Sequence, residues 1–231
     1  MLRLAVARLS APGAPGAMPP WFCESERRRW EQLGVAARPA FGASRALLRE
    51  LLHAATGVAG DAWRVSAEAG QAPVATADDP AAPAVHVSLS HRLGWVAAAV
   101  ADAAVGIDIE CDRPARSDAA ERAALMLSPA DLDDWQAIPA EGREDALLAR
   151  WTAKEAWFKA APPQLVPWDF RRVRARACEP ADARANVRAW RARPVHVALA
   201  CADARALAPA RCEGLPPPDD ESWWSLAVAS L

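Results

Sequence analysis

Val85-His-Val-Ser-Leu-Ser90 and Val105-Gly-Ile-Asp-Ile-Glu110 are the two stretches that decide the fold of this 231-residue chain. In each of them polar and apolar residues alternate, which is typical of a strand with one buried face. Trp95 to Val100 lies between them and follows a turn at His91-Arg-Leu-Gly94. The three segments together therefore predict an antiparallel meander.

Helices and further strands flank this meander on both sides. Before it, the sequence predicts a strand at 2–9, helices at 24–33 and 44–55, and short β pieces within 63–77. After it, the sequence predicts a helix that starts at Ser128-Pro129, a long helix over 143–161, and strands at 170–177, 187–190, 195–201 and 223–229.

Strands and helices thus come twice in a similar order, without the regular alternation that a parallel sheet requires. We therefore predict an α+β fold made of two similar, pseudo-symmetric halves, residues 1–107 and 108–231. Each half is expected to be a small antiparallel sheet packed with helices, with the active site at the interface between them.

The composition excludes several functional classes. The 27 basic and 29 acidic residues give a net charge of −2, so no basic field points to a nucleic acid. No apolar run reaches the roughly 18–20 residues that a membrane span needs. The five cysteines are widely spaced and contain no Cys-x-x-Cys, which indicates reduced thiols in a cytoplasm rather than disulfides or a zinc site. We expect a cytoplasmic protein with neither a membrane nor a nucleic acid as partner.

Lysine is rare in this chain and its two occurrences lie close together. Of the 27 basic residues only Lys154 and Lys159 are lysines, and both fall within Trp151–Ala160. An ammonium and a guanidinium are not interchangeable where one oxygen must be held in a tight space. The pattern therefore favours a functional segment over chance.

Two carboxylates share one face of the strand at 105–110. Asp108 and Glu110 project on the side opposite to the apolar residues, about 7 Å apart by strand geometry. Such a pair can bind a hard divalent cation such as Mg²⁺. Gly106 precedes them on the same face and is expected to leave room for a bulky ligand. Taken alone, a strand with a solvated outer face explains the pattern more simply.

The long helix carries a matching stripe. Trp151, Glu155 and Lys159 are spaced i, i+4 and i+8 and so lie on one face. One interpretation is an ordinary surface ion pair between Glu155 and Lys159. The other is a third carboxylate for Mg²⁺, with Lys159 next to a phosphate and Trp151 as a wall of the site.

Two further polar patterns leave alternatives open. Ser88, Ser90 and His91 end a strand, where their side chains either bind phosphate oxygens or only complete the turn. Arg172, Arg174 and Arg176 alternate on a predicted strand, and a solvated face is a simpler explanation than a docking surface for an acidic partner.

The combination of motifs is more specific than any one of them. Ser88-Leu-Ser-His91, Gly106-Ile-Asp-Ile-Glu110 and Trp151-Thr-Ala-Lys-Glu-Ala156 with Lys159 resemble the Sfp-type 4′-phosphopantetheinyl transferases of the holo-carrier-protein synthase superfamily. Arg45 lies in a segment that resembles the family's first-half helix, so the resemblance covers about residues 40–160.

The resemblance implies an activity and its partners. Such an enzyme transfers the 4′-phosphopantetheine group of coenzyme A to a serine of an apo acyl or peptidyl carrier protein, depends on Mg²⁺ and releases adenosine 3′,5′-bisphosphate. A chain of this length is expected to build the site as a monomer. The implied metal ligands are Asp108, Glu110 and Glu155; the implied catalytic residues are Glu155 and Lys159; and the implied coenzyme A contacts are Arg45, Ser90, His91, Asp108 and Lys159.

The sequence departs from the family pattern in three places. Gly70-Gln-Ala-Pro73 lacks the lysine of the family's Gly-Lys-Pro. Asp131 stands where the family tends to have a glutamate, and the residues alone predict it to be the capping-box acid behind Ser128. Ala161-Pro-Pro163 replaces a glycine-rich stretch.

Two other functional classes remain open on the sequence. One is a different Mg²⁺-dependent enzyme that acts on a nucleotide diphosphate and turns over without a carrier protein. The other is a carrier-binding module without catalytic activity.

Overall fold

A computed structural model describes residues 1–9, 17–112, 114, 118–161 and 169–228. Its α-helices are α1 (Glu24–Gln32), α2 (Arg38–Thr56), α3 (Ala119–Met126), α4 (Pro129–Gln136) and α5 (Arg143–Ala160). Its strands are β1 (Leu2–Arg8), β2 (Trp63–Val65), β3 (Ala75–Ala77), β4 (His86–Arg92), β5 (Trp95–Ala101), β6 (Val105–Cys111), β7 (Val173–Cys178), β8 (Val187–Ala192), β9 (Val195–Cys201), β10 (Cys212–Glu213) and β11 (Asp220–Val228).

The strands form two main sheets. The first has the order β10-β1-β5-β4 and the second the order β6-β9-β8-β11-β7, while β2 and β3 pair separately. Helix α2 packs on the first sheet and α5 on the second. All pairings are antiparallel except that of β1 with the short β10. The predicted α+β fold is confirmed, and the pseudo-symmetry of its halves stays a prediction.

A two-residue turn fixes the register of the meander. Arg92 pairs with Trp95, and the two residues between them, Leu93 and Gly94, have φ values of 43° and 82°. Two successive positive φ values are the mark of a type I′ turn, whose twist matches that of the flanking strands. This register places Ser88 and Ser90 of β4 beside β6.

The two sheets meet where β4 lies against β6. Ile107 donates its backbone N–H to Ser88 Oγ over 3.0 Å, and Ile109 donates to Ser90 Oγ over 3.3 Å. At this joint the serine hydroxyls of β4 thus accept hydrogen bonds that backbone carbonyl oxygens accept in a regular β ladder. The expected division of the chain between residues 107 and 108 falls inside β6, and β10 from the C-terminal part pairs with β1. The division stays a prediction.

Helix α5 approaches β6 closely because of one glycine. A Cβ at Gly106 would lie 2.0 Å from the Ala156 carbonyl oxygen and 2.7 Å from the Ala160 nitrogen. The expectation that Gly106 leaves room for a ligand is therefore wrong, since the helix backbone fills that space. The glycine brings the functional face of α5 to the strand acids.

The helix ends agree with the sequence in part. Helix α2 ends at Gly57, whose φ of 75° is the left-handed cap that the sequence predicts. It begins at Arg38 rather than at Ser44, since Pro39 suits the first turn. Pro162 and Pro163, the predicted stop of the long helix, lie outside the described residues. Within the described ranges, every helix is too short or too polar to cross a membrane.

Candidate active site

Strand β6 buries the two predicted acids at the joint of the sheets. Ile107 and Ile109 belong to the core between the sheets, so alternation turns Asp108 and Glu110 to the opposite face. Asp108 is 5% exposed and Glu110 8% exposed, because α5 covers that face. Carboxylates are almost never buried to this extent unless other charges compensate them.

Helix α5 supplies partners for both acids from its predicted stripe. Trp151 donates its indole N–H to Glu110 Oε1 over 3.2 Å, and Lys159 Nζ lies 2.7 Å from Asp108 Oδ1. Glu155 stands between these two contacts on the helix, with its carboxylate 4.0 Å from Lys159 Nζ. Trp151, Glu155 and Lys159 therefore face β6 rather than forming a surface ion pair in solvent.

One oxygen of Asp108 is left without a partner. Oδ1 accepts hydrogen bonds from Ser90 Oγ at 2.8 Å and from Lys159 at 2.7 Å. Oδ2 is buried and has no hydrogen-bond partner among the described residues. A buried carboxylate oxygen in this state is costly, and a bound cation would satisfy it.

The surroundings of Glu155 also disfavour a charged carboxylate. Its pKa is raised from 4.5 to about 7, mainly by burial; Lys159 opposes the rise, and Asp108 and Glu110 contribute to it. The residues therefore fit a hard divalent cation: carboxylate oxygens are the ligands that Mg²⁺ takes in proteins, and Asp108, Glu110 and Glu155 would hold it.

A second group of possible metal ligands lies elsewhere. Among the described residues, Asp112, Asp145 and His196 bring their ligand atoms within 4.8 Å of one another. Each member already has a partner, because His196 Nε2 lies 2.9 Å from Asp112 Oδ1 and Arg191 lies 2.5 Å from Asp145. The polar atoms of this group are thus already paired, Asp112 and His196 with each other and Asp145 with Arg191.

Arg45 and His91, two of the residues implied to contact coenzyme A, lie on different elements. Arg45 on α2 packs over Phe41 and faces Glu26, whereas His91 ends β4, where burial and the charges of Lys159 and Arg92 lower its pKa. No hydrogen bond or ion pair joins Arg45 to His91 within the described ranges. Ser90 is engaged with Asp108 and β6, so its hydroxyl supports the acid.

Lys154, the other lysine, has a structural environment. It is fully buried, lies 2.8 Å from Asp131 Oδ2, and donates to the carbonyl oxygens of Met126 and Phe170. The prediction that Asp131 is a capping-box acid is wrong: Ser128 caps α4 as predicted, but the Asp131 carboxylate accepts from Ala175 N and pairs with Lys154. Asp131, which is one methylene shorter than the glutamate of the family pattern, thus forms an ion pair with a buried lysine.

Sequence reasoning missed three charged residues around the site. Arg92 places its Nε 3.1 Å from Glu110 Oε2. Glu26 and Arg49 form a buried ion pair beside Arg45. Arg92 could have been found because it follows His91, the last residue of a quoted motif. Arg49 could have been found because it lies four residues after Arg45 on the same helix face.

Comparisons with known proteins point to one family. Residues 104–208 match the family model of the 4′-phosphopantetheinyl transferase superfamily. The chain is 35% identical over 96 residues to a 4′-phosphopantetheinyl transferase of Bacillus subtilis, covering 41% of this chain and 42% of that protein. It is 42% identical over 77 residues to the 4′-phosphopantetheinyl transferase psf-1 of Bacillus pumilus, covering 33% of this chain and 32% of that protein.

The matches thus span less than half of each curated relative, and the family-model match contains β6 and α5 with their acids and Lys159. The resemblance that the motifs predict is confirmed: residues 104–208 are similar to the 4′-phosphopantetheinyl transferase superfamily.

Proposed function

We propose that this protein transfers the 4′-phosphopantetheine group of coenzyme A to a serine of an apo acyl or peptidyl carrier protein, with Mg²⁺, and releases adenosine 3′,5′-bisphosphate. The observation that carries the proposal is the buried carboxylate cluster at the sheet joint. Asp108 has an oxygen without a partner among the described residues, and Glu155 has a pKa of about 7 next to Lys159.

The chemistry requires positioning and neutralisation of phosphate charge. Bound Mg²⁺ would neutralise charge on the pyrophosphate oxygens. Lys159 is held by Asp108 and the Ile107 carbonyl, 23% exposed, so its ammonium remains available to a phosphate oxygen at the mouth of the site. Trp151 fixes Glu110 through its indole N–H and shields that carboxylate from water.

Glu155 is proposed to take the proton. The carrier serine oxygen forms a bond to the β-phosphorus, the bond from that phosphorus to the bridging oxygen breaks, and adenosine 3′,5′-bisphosphate leaves with the electron pair. The serine proton passes to the Glu155 carboxylate, whose pKa is about 7 in the metal-free protein and would be lowered by a bound cation.

Coenzyme A would extend from this centre towards the N-terminal half. A cavity of about 240 Å³ there is lined by Ser25, Arg28, Arg29, Gln32 and residues 67–69. Arg45 and His91 are both proposed to contact the 3′-phosphate end of coenzyme A, Arg45 from behind this cavity.

The protein is proposed to be cytoplasmic, as its widely spaced cysteines suggest. It is proposed to act as a monomer, since Asp108, Glu110 and Glu155 come together within one chain. Analytical ultracentrifugation at assay concentration checks the oligomeric state. A symmetric oligomer that loses activity on dilution would contradict it.

The function is tested by incubating the protein with coenzyme A, Mg²⁺ and several apo-carrier proteins, followed by intact-mass spectrometry. We expect at least one carrier to gain a single phosphopantetheine group, and chelation of Mg²⁺ to abolish the gain. Coenzyme A cleavage without any carrier would indicate a hydrolase instead. Carrier binding without a mass change would indicate a binding module.

A further inference from the structure

Two arginines share one buried carboxylate between α1 and α2. Glu26 is fully buried, and the side chains of Arg45 and Arg49 are 8% and 6% exposed. Glu26 is fixed on its own helix, because Cys23 N–H donates to its Oε2 over 2.9 Å. The carboxylate of Glu26 thus faces two guanidinium groups in a place that is shielded from water, where an unpaired charge is costly, and Glu68 is a further carboxylate that acts on Arg45.

Arg49 takes both oxygens of this carboxylate. Its Nη1 donates to Glu26 Oε1 over 2.9 Å and its Nη2 donates to Oε2 over 2.7 Å, a bidentate pair. The guanidinium stacks on Trp21 at 4.5 Å and also donates to the Trp63 carbonyl. Both oxygens of Glu26 therefore accept hydrogen bonds from groups other than Arg45.

Arg45 is left with weak contacts. Its Nε lies 3.7 Å from Glu26 Oε1, too far for a hydrogen bond, and its one hydrogen bond within the described ranges is from Nη2 to the Ser66 carbonyl at 3.3 Å. Nε and Nη1 are buried and have no partner among the described residues. The pKa of Arg45 is lowered to about 10, mainly by burial; Glu26 opposes this shift and Arg49 adds to it.

A cavity with two arginines on its wall lies beside the segment that Arg45 contacts. The 240 Å³ cavity is lined by Arg28 and Arg29, by Glu68, and by Ala67, the residue that follows Ser66. A phosphate monoester there would replace the Ser66 carbonyl as the acceptor for Arg45 and would supply the missing charge.

We infer that Arg49 is a positioning residue for phosphate recognition: by occupying Glu26 it keeps the guanidinium of Arg45 free for a terminal phosphate monoester. The inference rests on the proposed function, in which that monoester is the 3′-phosphate of coenzyme A. Without Arg49, Glu26 would turn to Arg45, and the two would neutralise each other.

The test is calorimetric titration of the full-length protein and its variants with adenosine 3′,5′-bisphosphate and with adenosine 5′-monophosphate. We expect Arg49→Met to weaken binding of the bisphosphate by about tenfold, the size of one lost charge-assisted hydrogen bond, and to leave binding of the monophosphate unchanged. In the double variant Glu26→Gln/Arg49→Met the competing carboxylate is gone, so bisphosphate affinity should return to within about threefold of wild type.

A merely structural role for Arg49 predicts another pattern, in which the double variant binds no better than Arg49→Met and both ligands lose affinity together. That pattern, or an Arg49→Met protein with unchanged bisphosphate affinity, would overturn the inference. If thermal unfolding shows that Arg49→Met does not fold, Arg49→Lys is used, since a single ammonium covers only part of the carboxylate; it should lose bisphosphate affinity selectively, and an unchanged affinity would overturn the inference.

The same titrations separate this inference from the proposed function. If wild type prefers the bisphosphate and Arg45→Met removes the preference, the phosphate site is established, and Arg49→Met then tests the positioning role alone. If wild type shows no preference, Arg45 does not recognise the phosphate and the inference fails with it. A 3′-phosphate preference in a protein that modifies no carrier would leave the inference standing and contradict the proposed function.

Discussion

Lys159 of α5 pairs with Asp108 of β6, at 2.7 Å, in preference to Glu155 on its own helix, at 4.0 Å. The ordinary i, i+4 ion pair is thus replaced by a contact between α5 and β6. Because Asp108 and Glu155 come from different elements, the helix must lie close to the strand for the three charges to meet. The site depends on that close packing.

Gly106→Ala tests the close packing directly. A methyl group there meets the backbone of α5, which cannot move as a flexible side chain would, so the free energy of unfolding should fall by about 3 kcal/mol or more. Urea unfolding measures it. Gly34→Ala is the matched control, since a Cβ there would meet nothing within 4 Å. Equal stability of the two variants would show that α5 does not approach β6 in this way.

Lys154→Met tests the structural role of the second lysine. Loss of the ammonium leaves the carboxylate of Asp131 buried and uncompensated, so the unfolding free energy should fall by about 3–5 kcal/mol. Adding Asp131→Asn should recover part of this loss, because the amide carries no charge. A Lys154→Met protein of wild-type stability that has lost transfer activity would instead place Lys154 in the reaction.

The pH dependence of stability tests the charge on Glu155. Its pKa rises from 4.5 to about 7 on folding, so between these pH values the folded state holds a proton that the unfolded state has released. Without Mg²⁺, stability should therefore fall as the pH rises from about 4.5 to 7, by roughly 2–3 kcal/mol from this group.

Urea unfolding in chelator at several pH values measures the fall. Glu155→Gln should remove this component, so the difference in stability between wild type and variant should itself change with pH. A difference that is the same at pH 5 and pH 8 would mean that the carboxyl titrates normally.

Arg45→Ala and His91→Ala test the recognition of coenzyme A away from the reacting phosphorus. Contacts remote from the reaction act on ground and transition states alike, so each change should raise KM for coenzyme A more than it lowers kcat. Dephospho-coenzyme A should largely erase the difference between wild type and each variant. Equal impairment with both substrates would show that these residues do not recognise the 3′-phosphate.

The sequence predicts the local elements better than their contacts. The alternation in 85–110 and the turn at Leu93 and Gly94 predict β4, β5 and β6, because strand period and turn chemistry are local properties. The pairing of β10 with β1 has no such signal, since two residues carry no pattern.

The site shows the same limit. Spacing alone places Trp151, Glu155 and Lys159 on one helix face. Spacing gives Asp131 a local partner in Ser128, whereas its actual partner Lys154 lies 23 residues away on another helix. The prediction that Gly106 leaves room for a ligand is wrong because it depends on a distant element: the backbone of α5 fills that space.

The most direct test of the account is the rate at which Glu155→Gln modifies an apo-carrier protein, followed by intact mass with coenzyme A and Mg²⁺. The matched control is Glu141→Gln, at an exposed glutamate before α5. If Glu155 completes the carboxylate cluster and takes the serine proton, the rate should fall by about a hundredfold or more while the control keeps the wild-type rate. A Glu155→Gln protein that modifies the carrier at nearly the wild-type rate would contradict the account.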